Sequence, residues 1–571
     1  MGEATEDVGA LNLRWSQALV DGLAAAGVSD AVISPGSRST PLALAFLRRP
    51  EIRTHVVIDE RSAAFFALGI AKVQRRPAAL LCTSGSAPAN WFPAIIEADE
   101  GATPLLLLSA DRPPEMRGWG ANQTIDQIKL FGDHVRTAHA LGTPDPDFDA
   151  GYLHRLAARA VAESLTPIAG PVHLNLPFRE PLVPPGDLPA VQALPRPVRV
   201  AGAMRQPDPE AITALAKILS GGEGVIVAGG PDYPAGFADA VAALAARLDA
   251  PVIAEPLSNL RFGPHDRSRM LVRAEAFLRQ PSFSTAHRPR WVLRFGAFPV
   301  SRSVQNWLAA AKDRPLIVVD PAGRWPDPLF AGTQFVQADP GAVCSALAEM
   351  PLRPSANGWR AAFVAAELRA ERLAAGPEPP ADVFEGALIP ALIDALPSSH
   401  RLLLGNSMAI RDFDTFSGSL PKPLLCFGNR GASGIDGNVS SAAGIAAAGG
   451  PTVALLGDLA CVHDLGGFAL AKGQDLVVVA INNGGGGIFS YLPQAALGDF
   501  ERAWLTPPDV DLGLAASAWG IAHCRVNAVP EFSAALRAAL ARGGPHLLEV
   551  VVDRQVSVAG HRDYWAALAR D

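Results

Sequence analysis

The sequence predicts an α/β protein of three doubly wound domains, each built on a parallel sheet. Three observations carry that expectation. Strand-length apolar runs without polar alternation recur between helix-length segments, as in parallel βαβ units whose strands are buried on both faces. Many of these runs end in polar or glycine-bearing turns, which gathers loops along the carboxyl edge of a sheet. Proline-rich tracts divide the 571 residues into three stretches of ordinary domain size.

The first stretch, 1–185, has candidate strands at 30–34, 55–59, 78–82, 104–109 and 172–176. The first four lead into the turns SPGSRS, DERS, TSGSAP and SADRPP. The tract that follows (EPLVPPGDLPAVQALPRPV) reads as an extended linker over 186–209. The middle stretch, 210–350, has candidate strands at 224–228, 251–254, 291–295 and 316–320. Its GVIVAGGPDYPAG segment is Gly-rich but lacks G-x-G-x-x-G, and no acidic ribose partner closes the next strand, so a structural role is favoured over dinucleotide binding. A helical connector, 351–382, carries a GPEPP break at 376–380. The last stretch, 383–571, has candidate strands at 402–404, 424–427, 453–456, 476–481 and 547–552.

Composition narrows the function classes. Hydrophobic residues make up 49% and charged residues 18%, which fits a well-buried globular enzyme. A net charge of −7 without a basic tail argues against nucleic-acid binding. Five scattered cysteines without Cys-x-x-Cys argue against a disulfide framework or structural zinc and point to a reducing cytoplasm. The opening MGEATEDVGALNLRW lacks the pattern of a signal peptide. The uncharged run 439–457 is interrupted by Gly-Gly-Pro and reads as buried helix then strand, not a membrane span.

The stretch 452–494 concentrates the unusual chemistry: a buried strand, Gly457-Asp458, a helix, a second buried strand, then Asn482-Asn483 and four glycines. Both polar clusters fall at strand carboxyl ends, where open parallel sheets bind ligands. Hard oxygen ligands there, beside a loop of free backbone groups, suit Mg²⁺ carrying a diphosphate. The competing local explanation is an Asp N-cap plus a Gly-rich turn. A P-loop is disfavoured, because neither glycine loop is followed by Gly-Lys-Ser/Thr.

Gly457-Asp458 followed by Asn482-Asn483 closely resembles the motif of the thiamine-diphosphate (ThDP) enzymes, with Leu459 where many members have glycine. The resemblance implies a ThDP-binding fold of pyrimidine, central and diphosphate domains, and Mg²⁺ (or Mn²⁺) held by Asp458, Asn483 and the Gly485 carbonyl. It also implies that Glu60, in Asp59-Glu60-Arg61-Ser62, is the catalytic carboxyl that hydrogen-bonds the cofactor's pyrimidine nitrogen. Taken alone, Glu60 reads more readily as a first-turn carboxylate favoured by the helix dipole.

Further segments resemble one branch of that family: SPGSRSTPLA, DERSAAFFALGIAK, TSGSAPANWFPAIIEA, SADRPPEMRGWGANQTIDQ, GNSMAIRDFD and NRGASGIDGN. That branch joins 2-oxoglutarate to isochorismate, with loss of CO₂, on the way to menaquinone or phylloquinone. Both substrates are dianions, and guanidinium forks suit them. The resemblance places substrate contacts at Ser37, Arg38, Arg112, Asn122, Gln123, Ser407, Arg411 and Arg430, and more loosely at Arg302 in the middle stretch. It assigns the cofactor Glu60, Ser407, Ile435, Gly457, Asp458, Leu459, Asn483, Gly485, Gly486, Ile488 and Phe489. Among these, Ile435 props the cofactor's bent shape and Ile488-Phe489 forms the apolar wall by the reacting carbon. It further implies a homodimer or dimer of dimers with shared sites. Another ThDP 2-oxoacid decarboxylase or carboligase, related to acetohydroxyacid synthase, is the alternative within the family. A non-catalytic nucleotide-binding or regulatory module is the alternative outside it.

Overall fold

The computed structural model describes residues 7–188, 190–230, 233–356, 358–375, 383–398 and 400–570. The GPEPP break at 376–380 and parts of the N-terminal and middle Gly-rich stretches lie outside these residues.

Among the described residues, eighteen strands form three six-stranded parallel sheets. The first contains β1 (Asp30–Ile33), β2 (Arg53–Val56), β3 (Ala78–Cys82), β4 (Leu105–Asp111), β5 (Thr137–Ala140) and β6 (Pro171–Pro177). The second contains β7 (Gly224–Ala228), β8 (Val252–Ala254), β9 (Met270–Leu271), β10 (Trp291–Phe295), β11 (Leu316–Val319) and β12 (Gln334–Val336). The third contains β13 (Arg401–Leu404), β14 (Leu425–Phe427), β15 (Thr452–Gly457), β16 (Leu476–Asn482), β17 (Ala522–Val526) and β18 (His546–Val551).

The outer two sheets share one topology. Their orders, β2-β1-β3-β4-β6-β5 and β14-β13-β15-β16-β18-β17, become identical when strands are counted from the first of each sheet. The middle sheet, β12-β11-β10-β7-β8-β9, has instead the order of a dinucleotide-binding sheet. Its switch point lies between β7 and β10, whose following loops are in direct backbone contact. Ala297 N–H donates to the Gly230 carbonyl at 2.8 Å, and a Cβ on Gly229 would lie 2.0 Å from the Ala297 carbonyl oxygen.

Central strands match their sequence signal. Runs such as LLLL in β4 and LVVVAI in β16 are buried throughout, as strands covered on both faces require. The strands absent from the sequence reading are β5, β9, β12 and β17, and each is an edge of its sheet. An edge strand has one free side, so TAHA alternates between partial burial and exposure, AHCRV buries only Val526, and neither offers a continuous apolar run. β9 is only two residues long.

The chain forms two compact units. One takes the chain through Gly202 together with Asn429–Gly450 and His463–Leu476; the other takes Ala203–Gly428, Pro451–Val462 and Val477–Asp571. Within the first unit, the Glu60–Gln74 helix lies directly on the fully buried Asn438–Ala447 helix. Glycines permit that approach: a Cβ on Gly69 would sit 2.1 Å from the Ser441 carbonyl oxygen, and one on Gly444 would sit 2.0 Å from that of Phe66. Within the second unit, the buried Arg261 guanidinium joins the middle and third sheets. It donates to the Ala254 carbonyl at 2.8 Å, the Asp414 carbonyl and Ser417 Oγ at 2.9 Å, and pairs with the Asp414 carboxylate. No described helix is long and apolar enough to cross a membrane.

Candidate active site

In the second unit, β15 and β16 are neighbours, and their carboxyl ends carry Asp458 and Asn482-Asn483. Strand β15 runs into the Asp458–His463 helix without an intervening loop. The expected single helix is then broken into Asp458–His463, a 3₁₀ turn at Leu465–Gly467 and the short helix Phe468–Ala471. Asp458 is 2% exposed. Its Oδ1 accepts the Leu459 N–H and its Oδ2 the Gly485 N–H, both at 2.7 Å. Burial raises its pKa to about 6, against the lowering effect of these backbone donors. A buried carboxylate of this kind gains from a cation. Leu459 contributes its backbone N–H here, which explains why leucine serves where glycine is common.

The two asparagines have different work. Asn482 Nδ2 donates to Glu549 Oε1 at 2.6 Å, and Asn482 Oδ1 accepts the Gly484 N–H at 3.2 Å. Glu549 is fully buried and also takes His523 and Arg525, whose hydrogen bonds hold its pKa low against burial. Asn483 is half-buried, and its side chain makes no hydrogen bond among the described residues. The second asparagine is therefore the one available as a ligand.

Gly485 cannot be replaced by a larger residue without movement. Its φ is +124°, and a Cβ would lie 2.2 Å from the Leu505 carbonyl oxygen. That oxygen also accepts the Gly486 N–H at 2.7 Å, while the Gly485 carbonyl accepts the Gly487 N–H at 2.8 Å and keeps a second lone pair. The π-helical turn Glu501–Leu505 thus shapes the glycine loop, a support the sequence did not reveal. Ile488 and Phe489 follow in a half-buried 3₁₀ turn, Gly487–Tyr491. Gly457 is half-buried with open space around its α-carbon. The donor set, one carboxylate, one carboxamide and one carbonyl, fits a divalent cation; the N–H groups of Gly484 to Gly487, expected to be free, are each hydrogen-bonded within the protein.

Ser407 precedes the Met408–Phe416 helix with φ +67° and ψ −124°, a strained backbone for a residue with a Cβ. Its carbonyl accepts Arg411 Nη1 at 2.9 Å. On the same helix, buried Asp412 pairs with His561 at 2.9 Å, and Asp414 takes Arg261. Arg302, at the start of the Arg302–Ala310 helix, is exposed and donates to Gln305 Oε1 at 3.3 Å.

In the first unit, Asp59 caps the Glu60–Gln74 helix by accepting the Arg61 N–H at 3.0 Å and Ser62 Oγ at 2.8 Å. Glu60 is thereby the first, half-buried residue of the helix. Arg61 donates to the His463 carbonyl at 3.1 Å and lies 3.9 Å from Asp464. Asp464 is itself fixed by the Ser440 N–H at 2.7 Å and Ser440 Oγ at 3.0 Å. The His463 side chain is exposed.

The arginine loops gather around β1, β3 and β4. Arg38 is buried, donating to the Phe178 carbonyl at 2.8 Å and to Glu180 at 2.7 Å, while its Nε has no partner. Arg112 Nη1 donates to Ser84 Oγ at 2.6 Å. Burial lowers the Arg112 pKa, and the nearby Arg38 charge lowers it further. Gln123, at φ +54°, donates to the Ser84 carbonyl at 2.9 Å, and Ser84 Oγ donates to the Gln123 carbonyl at 3.0 Å. Ser37 and Asn122 are exposed on these loops, and Arg430 and Ile435 are half-buried in the loop before the Asn438–Ala447 helix.

Sequence reasoning missed three supports. Ser84 joins the Arg112 and Gln123 loops, Gln127 holds the Gly85 N–H at 3.0 Å, and Arg261 braces the Ser407–Arg411 helix. The first two lie within motifs quoted above, but no local pattern separates a loop brace from its neighbours.

Two family models match the chain. A thiamine pyrophosphate enzyme N-terminal TPP binding domain matches residues 13–130, and the corresponding C-terminal TPP binding domain matches 419–550. With the cradle at Asp458, these matches define the class: an enzyme built to bind thiamine diphosphate. The chain is 48% identical to the 2-succinyl-5-enolpyruvyl-6-hydroxy-3-cyclohexene-1-carboxylate (SEPHCHC) synthase of Dechloromonas aromatica over 544 residues, covering 95% of this chain and 99% of the relative. It is 44% identical to the synthase of the same name from Geobacillus kaustophilus, with 98% of each covered, and 42% identical to that of Myxococcus xanthus, again with 98% of each covered. The chain belongs to the SEPHCHC synthase family of thiamine-diphosphate-dependent enzymes.

Proposed function

We propose that the protein decarboxylates 2-oxoglutarate and adds the resulting succinyl-semialdehyde unit to isochorismate by 1,4-addition, giving SEPHCHC and CO₂ in menaquinone or phylloquinone biosynthesis. The observation that carries the reading is the Asp458 cradle, intact in a chain that matches SEPHCHC synthases over nearly its whole length. Asp458, Asn483 and the Gly485 carbonyl would hold Mg²⁺ or Mn²⁺, with Gly486 and Ser407 toward the cofactor. Bound thiamine diphosphate supplies the electron sink for decarboxylation and carbon–carbon bond formation.

The chain's own groups do the rest. Glu60 hydrogen-bonds the cofactor's pyrimidine nitrogen and holds the proton there. Ile435 supports the bent cofactor, while Ile488 and Phe489 keep water from the reacting carbon. Arg112, Arg411 and Arg430, with Ser37, Asn122, Gln123 and Ser407, receive the substrate carboxylates. Arg38 acts from a buried position, its fork committed to Phe178 and Glu180. Arg302 is the outlying member, placed toward the second substrate. The active unit is a homodimer or dimer of dimers in the cytoplasm; cysteines that form no disulfide suit that compartment.

Incubation with ThDP, Mg²⁺, 2-oxoglutarate and isochorismate, followed by mass analysis, should yield SEPHCHC. Turnover of pyruvate with none of 2-oxoglutarate would assign the chain to another carboligase branch.

A further inference from the structure

The loop from Arg430 to Ile435 is gripped by a residue outside every site assignment above. Glu97, on the Phe92–Glu100 helix, is 3% exposed. Its Oε1 accepts the Gly431 N–H at 2.9 Å, and its Oε2 accepts the N–H groups of Ala432 at 2.8 Å and Ser433 at 3.4 Å. Three successive backbone donors converging on one carboxylate make a tight anion nest. Lys72 Nζ, from the helix that begins with Glu60, lies 3.8 Å from the same carboxylate. The grip is close as well as polar, since a Cβ on Gly431 would lie 2.5 Å from Gly101 N and 2.6 Å from the Glu97 carbonyl oxygen. Ser433 sits at φ +64°, a backbone cost that the charge-assisted bonds offset. Beside the loop is a cavity of about 250 Å³ lined in part by Phe65, Phe92, Ala432 and Gly434, so packing alone leaves the loop room to relax.

We propose that Glu97 is a positioning residue for substrate binding: its carboxylate is the template on which the 430–435 loop is shaped, and it thereby sets where Arg430 meets a substrate carboxylate. This rests on the reading of Arg430 as a substrate-contacting residue. A glutamine at 97 is the same size but offers one acceptor oxygen and turns an N–H₂ toward backbone donors. Replacement should therefore disturb the loop without emptying the helix of volume.

The test is steady-state kinetics of Glu97→Gln, Arg430→Ala and the double variant, with ThDP affinity by calorimetry. Arg430→Ala should raise the KM of the substrate that Arg430 holds, and Glu97→Gln should raise the KM of that same substrate about tenfold, with kcat, the other KM and ThDP affinity each within about twofold. In the double variant the Glu97→Gln effect should vanish, because there is no guanidinium left to misplace. Additive effects, a rise in the other substrate's KM instead, or a fall in kcat with both KM values unchanged would overturn the proposal. An Arg430→Ala enzyme with both KM values unchanged would overturn the substrate reading beneath it. Should Glu97→Gln not fold, Gly431→Ala, which displaces the loop from the other side, must show the same selective rise in KM; an unchanged KM there counts against the proposal.

Discussion

Asp458 and Gly485 are joined at 2.7 Å, carboxylate oxygen to backbone N–H, across the ends of two adjacent strands. The bond ties an acidic strand end to a glycine loop that would otherwise be free, so the anchoring groups are in place before any ligand binds. We expect Asp458→Ala to abolish Mg²⁺-dependent ThDP binding in calorimetry while the protein stays folded. Binding at undiminished affinity would disprove the anchor.

The neighbouring asparagines should separate cleanly. Asn483→Ala is expected to weaken Mg²⁺–ThDP binding by about 10- to 100-fold with little loss of stability. Asn482→Ala strips a donor from buried Glu549 and should cost about 1–3 kcal/mol in urea denaturation with much less effect on affinity. The reverse pattern would exchange their roles.

Gly485→Ala puts a methyl group against the Leu505 carbonyl at a backbone conformation that disfavours it. A loss of about 2 kcal/mol or more in the local loop is expected, read as reduced ThDP affinity and faster amide exchange over 484–489. An alanine enzyme with native affinity would show that the loop shape is unimportant.

Glu60→Gln should retain ThDP and both substrates yet lose about 10²- to 10⁴-fold in kcat. Stopped-flow or hydrogen–deuterium exchange at the cofactor's reactive carbon would locate the defect. An active glutamine enzyme would remove Glu60 from its catalytic role and leave it as a helix-start carboxylate.

A buried polar cluster predicts a pH effect on stability. His561 is 2% exposed, with Nε2 2.9 Å from Asp412 and Nδ1 2.8 Å from the Ser557 carbonyl. Burial alone would lower its pKa, but the Asp412 hydrogen bond and charge outweigh it and hold the ring up at about 9. A folded pKa above the unfolded one stabilises below about pH 6.5 and loses that contribution as pH rises through about 9. Glu385, raised to about 7 by its own burial and by Asp412, acts over a lower window, costing stability as pH rises from about 4.5 to 7. Urea midpoints should fall between pH 6.5 and 9.5, on the order of 2 kcal/mol, and flatten in His561→Gln. An equally steep profile in the variant would place the titrating group elsewhere.

The sequence by itself determined the parallel α/β class and fourteen of the strands, twelve of them central strands buried on both faces that need no partner to be recognised and two, β2 and β14, at sheet edges. It also marked the candidate chemistry-bearing residues, since Gly457-Asp458, Asn482-Asn483 and the DERS turn each lie near a strand end where a ligand group is expected. Only the tertiary structure decided which of two adjacent asparagines is committed to Glu549, that Arg38 is held by Phe178 and Glu180, and that Glu97 grips a loop more than three hundred residues away. The edge strands β5, β9, β12 and β17 also had to be seen. Strand and helix periodicity is local in the chain, whereas a hydrogen-bond partner is chosen by proximity in space, and that choice leaves no periodic trace in the sequence.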